Sequence, residues 1–148
     1  MQSTTQRRDG GATAEGAEPR GALAYRTLAM STDTNPMGHI FGGWIMSHMD
    51  AAGKMTATEH ANGRVVTVAV SRIVFLAPVA IGDTVACYTD VAKIGRTSIT
   101  LDVEVWVLRQ GQGDRVKVTE AEFTFVAVDD AGNPRPLAAT REAATVPA

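Results

Sequence analysis

At 148 residues, 45% of them hydrophobic and 20% charged, the chain has the size and make-up of one compact globular domain. Its formal charge of -2, with acids and bases interspersed, gives no broad electrostatic footprint for nucleic acid or an anionic membrane, so any anion site has to be local. No apolar run approaches the roughly 20 residues that span a bilayer, and a single cysteine, Cys87, excludes an intrachain disulfide framework or a multi-cysteine zinc site.

Residues 1–22 lack the apolar stretch of a secretory signal and carry Asp9, Glu15 and Glu18, which transit segments avoid; the expectation is a flexible N-terminal arm on a cytoplasmic protein. ALAYRTLAM (22–30) reads as a first strand. The following STDTNPMGHIFGG contains Asn35-Pro36 and Gly38, which disfavour regular structure, and ends in the glycine pair Gly42-Gly43. From there to about His60, Ile45, Met49, Ala52 and Thr56 recur at spacings of three and four, predicting a long helix with one face against a sheet. Asn62-Gly63 is its stop signal.

Four strand-like runs follow: VVTVAVSRIVFL, TVACYTDVAKI, TSITLDVEVWVLR and RVKVTEAEFTFVAV. Pro78 with Gly82-Asp83, Gly95-Arg96 and the segment 111–114 separate them and suit turns between antiparallel neighbours, so the sheet is expected to be largely a meander. Runs longer than the usual five or six residues predict a curved, twisted sheet able to wrap the helix. One helix cannot cover both sheet faces, and long edge strands invite pairing with another chain, so dimerisation is expected. The domain is expected to occupy 23–137, followed by a flexible C-terminal tail, 138–148.

The string TNPMGHIFGGWIMSHMDAAG (34–53) resembles the loop-helix signature of hot-dog acyl-CoA thioesterases of the YciA type. The likeness continues through GRVVTVAV, FLAPVAIGD, GRTSI, VEVWV and TEAEFTFVAVD, covering roughly residues 25–135. It implies an α+β hot-dog fold, a long central helix wrapped by a curved antiparallel sheet of about five strands. It implies a homo-oligomer built from dimers, a hexamer among its forms, with each dimer sharing a continuous sheet and active sites between subunits. The implied activity is hydrolysis of fatty acyl-CoA to free acid and CoA.

The residues supply a physical reading beside the resemblance. Gly42 and Gly43 let a substrate approach the backbone, and the first helical turn points unpaired N–H groups and a positive dipole end outward, which suits an oxyanion. Losing one donor to such charge costs about 10²–10³ in rate; tight packing is the alternative use of the pair. Asp50, which matches the acid of the family's signature, shares a stripe with Met46, Gly53 and Ala57, a largely uncharged surface that an interface would desolvate. It would act as general base toward water or as nucleophile, against the alternative of a solvent-facing helix acid.

Gly43 and Asp50 lie seven residues apart, roughly 10 Å along the helix, so one carbonyl cannot meet both from the same chain. The hypothesis is a composite site, with Asp50 of one subunit facing the loop and helix start of another. His39 departs from the Asn or Asp usual in the family; it could bond the carbonyl, orient water or protonate the leaving thiolate, or simply pack in its loop. Asn35 offers polar contacts or forms a turn. His48 and His60 are expected to be structural or solvated, Cys87 to be packing, and no metal-ligand spacing occurs. No cofactor is expected beyond the CoA of substrate and product.

For CoA phosphates the candidates are Arg64, Arg72, Lys93 and Arg96, with Thr97 and Ser98 in the best-suited turn; the pantetheine arm could bond backbone along Val66, Thr67 and Val68. Two other functions compete. A hydratase or dehydratase of acyl thioesters would pair His39 with Asp50 for proton transfer, but the Pro-rich His segment is absent. A non-catalytic acyl-CoA-binding protein would need an output module, and the arm is too short for a further folded domain.

Overall fold

The computed structural model describes residues 18–109 and 113–137, so most of the expected arm and the whole expected tail lie outside it. The elements run β1 (Ala22–Leu28), a 3-10 turn (Ser31–Asp33), α1 (Gly42–Ala61), β2 (Val65–Phe75), β3 (Thr84–Ile94), β4 (Ser98–Leu108) and β5 (Arg115–Ala127). Packed chain begins slightly before the expected domain start. The Arg20 amide donates to Glu104 Oε1 at 3.1 Å and its guanidinium reaches Asp102 at 3.0 Å.

All strand pairs are antiparallel, in the order β1-β3-β4-β5-β2. The meander expectation therefore holds only for β3, β4 and β5. β2 pairs with β5 and forms the far edge, so the segment after Phe75 crosses back to β3 instead of turning a hairpin. That crossover braces the loop ahead of the helix: Ile40 N donates to Val79 O at 2.9 Å, and His39 and Ala80 form an isolated bridge.

The helix forms where the apolar spacing places it. Ile45, Met49, Ala52, Gly53, Ala57 and Ala61 are buried against the concave sheet face, which supplies Ile99, Leu101, Val103, Phe123 and Phe125. Thr56, expected on this stripe, is half-buried and shares a hydroxyl hydrogen bond of 2.7 Å with Thr89 of β3. Complete burial of each large apolar side chain contributes about 1.5–3 kcal/mol. Gly53 permits this close approach, because a Cβ there would lie 2.8 Å from the Phe125 ring. Asn62, at φ 55°, ends the helix in the left-handed conformation and donates its N–H to Thr58 O. The helix end is also held by Arg135, whose guanidinium donates to Ala61 O at 2.9 Å and Val128 O at 3.2 Å.

Candidate active site

The helix begins without a side-chain cap: Phe41 is its N-cap residue and offers no hydrogen-bonding side chain. The amides of Gly42 and Gly43 have no acceptor among the described residues. The two glycines differ in surroundings. A Cβ on Gly43 would meet nothing within 4 Å, whereas one on Gly42 would lie 3.3 Å from the ring of Phe75. Open space is thus found over Gly43, and packing over Gly42.

Asn35 shapes the loop in front of these amides. Its side-chain oxygen accepts from Met37 N at 2.9 Å and His39 N at 3.1 Å, leaving the amide N–H groups without an acceptor among the described residues. This is the turn-forming role, with donors to spare. The His39 side chain is exposed and makes no hydrogen bond among the described residues.

Asp50 is half-buried on α1, and Thr67 of β2 donates its hydroxyl hydrogen to Asp50 Oδ1 at 2.6 Å. The sequence points to Thr67 only through its backbone. Its side chain fixes one carboxylate oxygen and leaves the other available for a proton. No local signal reveals that pair, because it depends on how α1 lies across β2.

The phosphate candidates separate into two places. Thr97 O accepts from Ala127 N at 2.9 Å, Arg96 O from Leu137 N at 2.8 Å, and Arg64 O from Val128 N at 3.0 Å. These bonds gather Arg64, Arg96, Thr97 and Ser98 at one end of the sheet, with both arginines exposed. Lys93 is exposed near the end of β3, two residues before the turn that leads to Arg96. Arg72 is elsewhere. It sits at a bulge of β2 with φ 53°, and its guanidinium is paired with Glu122 at 2.5 Å. Val66 and Val68 are exposed along the same strand.

The remaining titratable candidates are locked into packing. Cys87 is buried, and burial pushes its thiol up to about 12. His48 lies with its ring centroid 4.1 Å from that of Trp44 and is hydrogen-bonded at Nδ1 to the Tyr25 hydroxyl. Burial lowers the His48 pKa against an opposing pull from Asp33, and burial foremost raises that of Tyr25. His60 Nδ1 lies 3.1 Å from Thr56 O, one helical turn back. Among the described residues no group of three or more His, Cys, Asp or Glu is disposed to hold a metal, and no helix is long and apolar enough to cross a membrane.

A sheet-wrapped helix that offers free amides at its start and a hydroxyl-held carboxylate two turns along defines a hot-dog protein with a site suited to acyl chemistry. The chain belongs to the thioesterase superfamily, whose family model matches residues 37–113. It is 55% identical over 122 residues to the acyl-CoA thioester hydrolase YciA of Salmonella typhimurium, covering 80% of this chain and 92% of that protein. Among solved structures, a hexameric thioesterase from Yersinia pestis is 56% identical with a TM-score of 0.79, covering 82% of this chain and 99% of the other. A hexameric broad specificity acyl-coenzyme A thioesterase is 47% identical with a TM-score of 0.80, covering 90% and 94%.

Proposed function

We propose that this protein hydrolyses fatty acyl-CoA thioesters to free acid and CoA in the cytoplasm, with no further cofactor, at sites built between two copies of the chain. The observation that carries the proposal is the Asp50–Thr67 hydrogen bond of 2.6 Å on a helix whose first amides are free. The carboxylate supplies the base or the nucleophile. The Gly42 and Gly43 amides receive the charge that grows on the carbonyl oxygen, the event oxyanion donors act on.

Dimerisation follows from the β2 edge. Val66, Val68, Val70, Val74 and Phe75 are all exposed on a strand with one unpaired side, an arrangement that calls for a covering chain. A second β2 is the natural cover, and the hexameric relatives support homo-oligomeric assembly. Within one chain Asp50 touches Thr67 near the start of β2, while Gly42 packs on Phe75 at its end. Two β2 strands paired antiparallel about a two-fold axis bring the end of one toward the start of the other. One copy's Asp50 thereby approaches the other's helix start, with Asn35 and His39 on the adjoining loop able to bond the carbonyl or protonate the departing thiolate.

CoA phosphates are assigned to Arg64 and Arg96 with the Thr97 and Ser98 hydroxyls. Arg64 precedes Thr67 by three residues, roughly 10 Å of strand, a distance the pantetheine arm can bridge. The outward backbone groups of Val66, Thr67 and Val68 are those a paired β2 would use, so the basic sheet end carries the CoA proposal. The test is thiol release from a saturated acyl-CoA, which has no double bond to hydrate. Wild type is expected to release thiol and Asp50→Asn to lose nearly all turnover; equal rates would overturn the assignment.

A further inference from the structure

An apolar groove of about 380 Å³ opens beside the start of α1. Its floor is Ile40, Ile45 and Val79, at 5%, 3% and 0% exposure, and its mouth is Phe75 and Leu76, at 48% and 42%. None of its lining side chains is polar or charged. Gly42 forms one wall, so the groove starts where a free amide N–H also starts.

We infer that this groove holds the acyl chain of the substrate and that Phe75 is the residue that sets how long a chain it accepts; the inference rests on the thioesterase reading above. A carbonyl oxygen on the Gly42 or Gly43 amide leaves the carbon chain beside the groove mouth. The ionic remainder, CoA, has its basic partners at Arg64 and Arg96, neither of which lines this groove. The apolar side chains of the lining match the alkyl part of the substrate. The Phe75 ring lies 3.3 Å from where a Gly42 Cβ would be, so it closes over the helix start, and it is 48% exposed in the single chain, on the β2 edge that the proposed partner would border. Removing the ring lengthens the channel past the mouth; a larger ring shortens it. Each additional methylene buried changes binding about fourfold.

The experiment measures kcat/KM for saturated acyl-CoA from two to sixteen carbons on wild type, Phe75→Ala and Phe75→Trp. It also measures binding of the non-hydrolysable acyl-CoA thioethers of the same lengths. Phe75→Ala is expected to raise the long-to-short preference at least tenfold and Phe75→Trp to lower it, in both turnover and binding. Should Phe75→Ala not fold, Leu76→Trp at the same mouth is expected to reject the longer chains selectively. Unaltered length profiles in the folded variants, as would follow if a second copy fills the groove, overturn the inference while wild-type turnover leaves the proposed activity standing. Length-dependent thioether binding that shifts at Phe75, without hydrolysis of any acyl-CoA by wild type, overturns the activity and leaves the groove assignment standing.

Discussion

Thr67 and Asp50, seventeen residues apart on adjacent elements, meet through a 2.6 Å hydrogen bond in which the threonine hydroxyl donates to the carboxylate. Hydrogen bonds to charged groups contribute about 1.5–3 kcal/mol, and here the bond also aims the second oxygen. Thr67→Val is therefore expected to lower kcat about tenfold or more while Thr67→Ser retains most of it. Asp50→Asn is expected to fall by about 10²–10⁴. Steady-state thiol release on matched, folded samples checks both, and a Thr67→Val rate equal to wild type would reduce the contact to packing.

Gly53 offers a stability test at the helix-sheet contact. A Cβ there would stand 2.8 Å from Phe125, whose ring is wholly buried and cannot retreat freely. Alanine would recover about 1 kcal/mol of helix propensity against that overlap, so valine is the cleaner probe. Gly53→Val is expected to destabilise by about 1–3 kcal/mol or more in denaturant unfolding. A neutral result would mean that α1 can lift from the sheet.

Thr119 predicts the opposite sign. Its hydroxyl is fully buried without a partner among the described residues, on a residue paired with Phe75 and Val105. Burying an unbonded hydroxyl costs about 1–3 kcal/mol, so Thr119→Val should raise the denaturant midpoint with an unchanged slope. A lower midpoint would show that a bound water or other partner satisfies the oxygen.

His48 gives a pH dependence. Burial lowers its folded-state pKa below the ordinary value of 6.5, so the unfolded chain binds the proton more readily. Stability from this residue is complete above about pH 6.5 and is lost as pH falls through that value toward the folded pKa. His48→Gln keeps an acceptor for Tyr25 and removes the titration, so its stability should decline less than that of wild type between pH 7 and 5. Parallel declines would place the titration elsewhere.

The long helix and all four later strands could be read from the sequence to within a residue or two, since apolar spacing of three and four changes to strand-like runs at Asn62-Gly63. Strand order could not. Pro78 and Gly82-Asp83 punctuate a crossover with the same residue types that punctuate a hairpin, and only the pairing of β2 with β5 distinguishes them. Asp50 and the glycine pair were visible through their motif, but Thr67 as hydroxyl donor and Arg135 as cap of α1 were not, because both contacts bridge elements distant in sequence. Arg72 likewise gives no local sign that a bulge turns it onto Glu122.

The composite site is tested most directly by mixing two defects. Asp50→Asn removes the acid, and Gly43→Pro removes one first-turn N–H at the second helical position, within the turn where proline is tolerated and where a Cβ would meet open space. Each variant alone should be nearly inactive. If the acid and the amides come from different copies, a dimer of one Asp50→Asn chain with one Gly43→Pro chain contains one wholly intact site and one doubly defective site, so the mixed sample regains thiol release. No recovery in verified mixed dimers would contradict the account, because a site contained in one chain would then be broken in both.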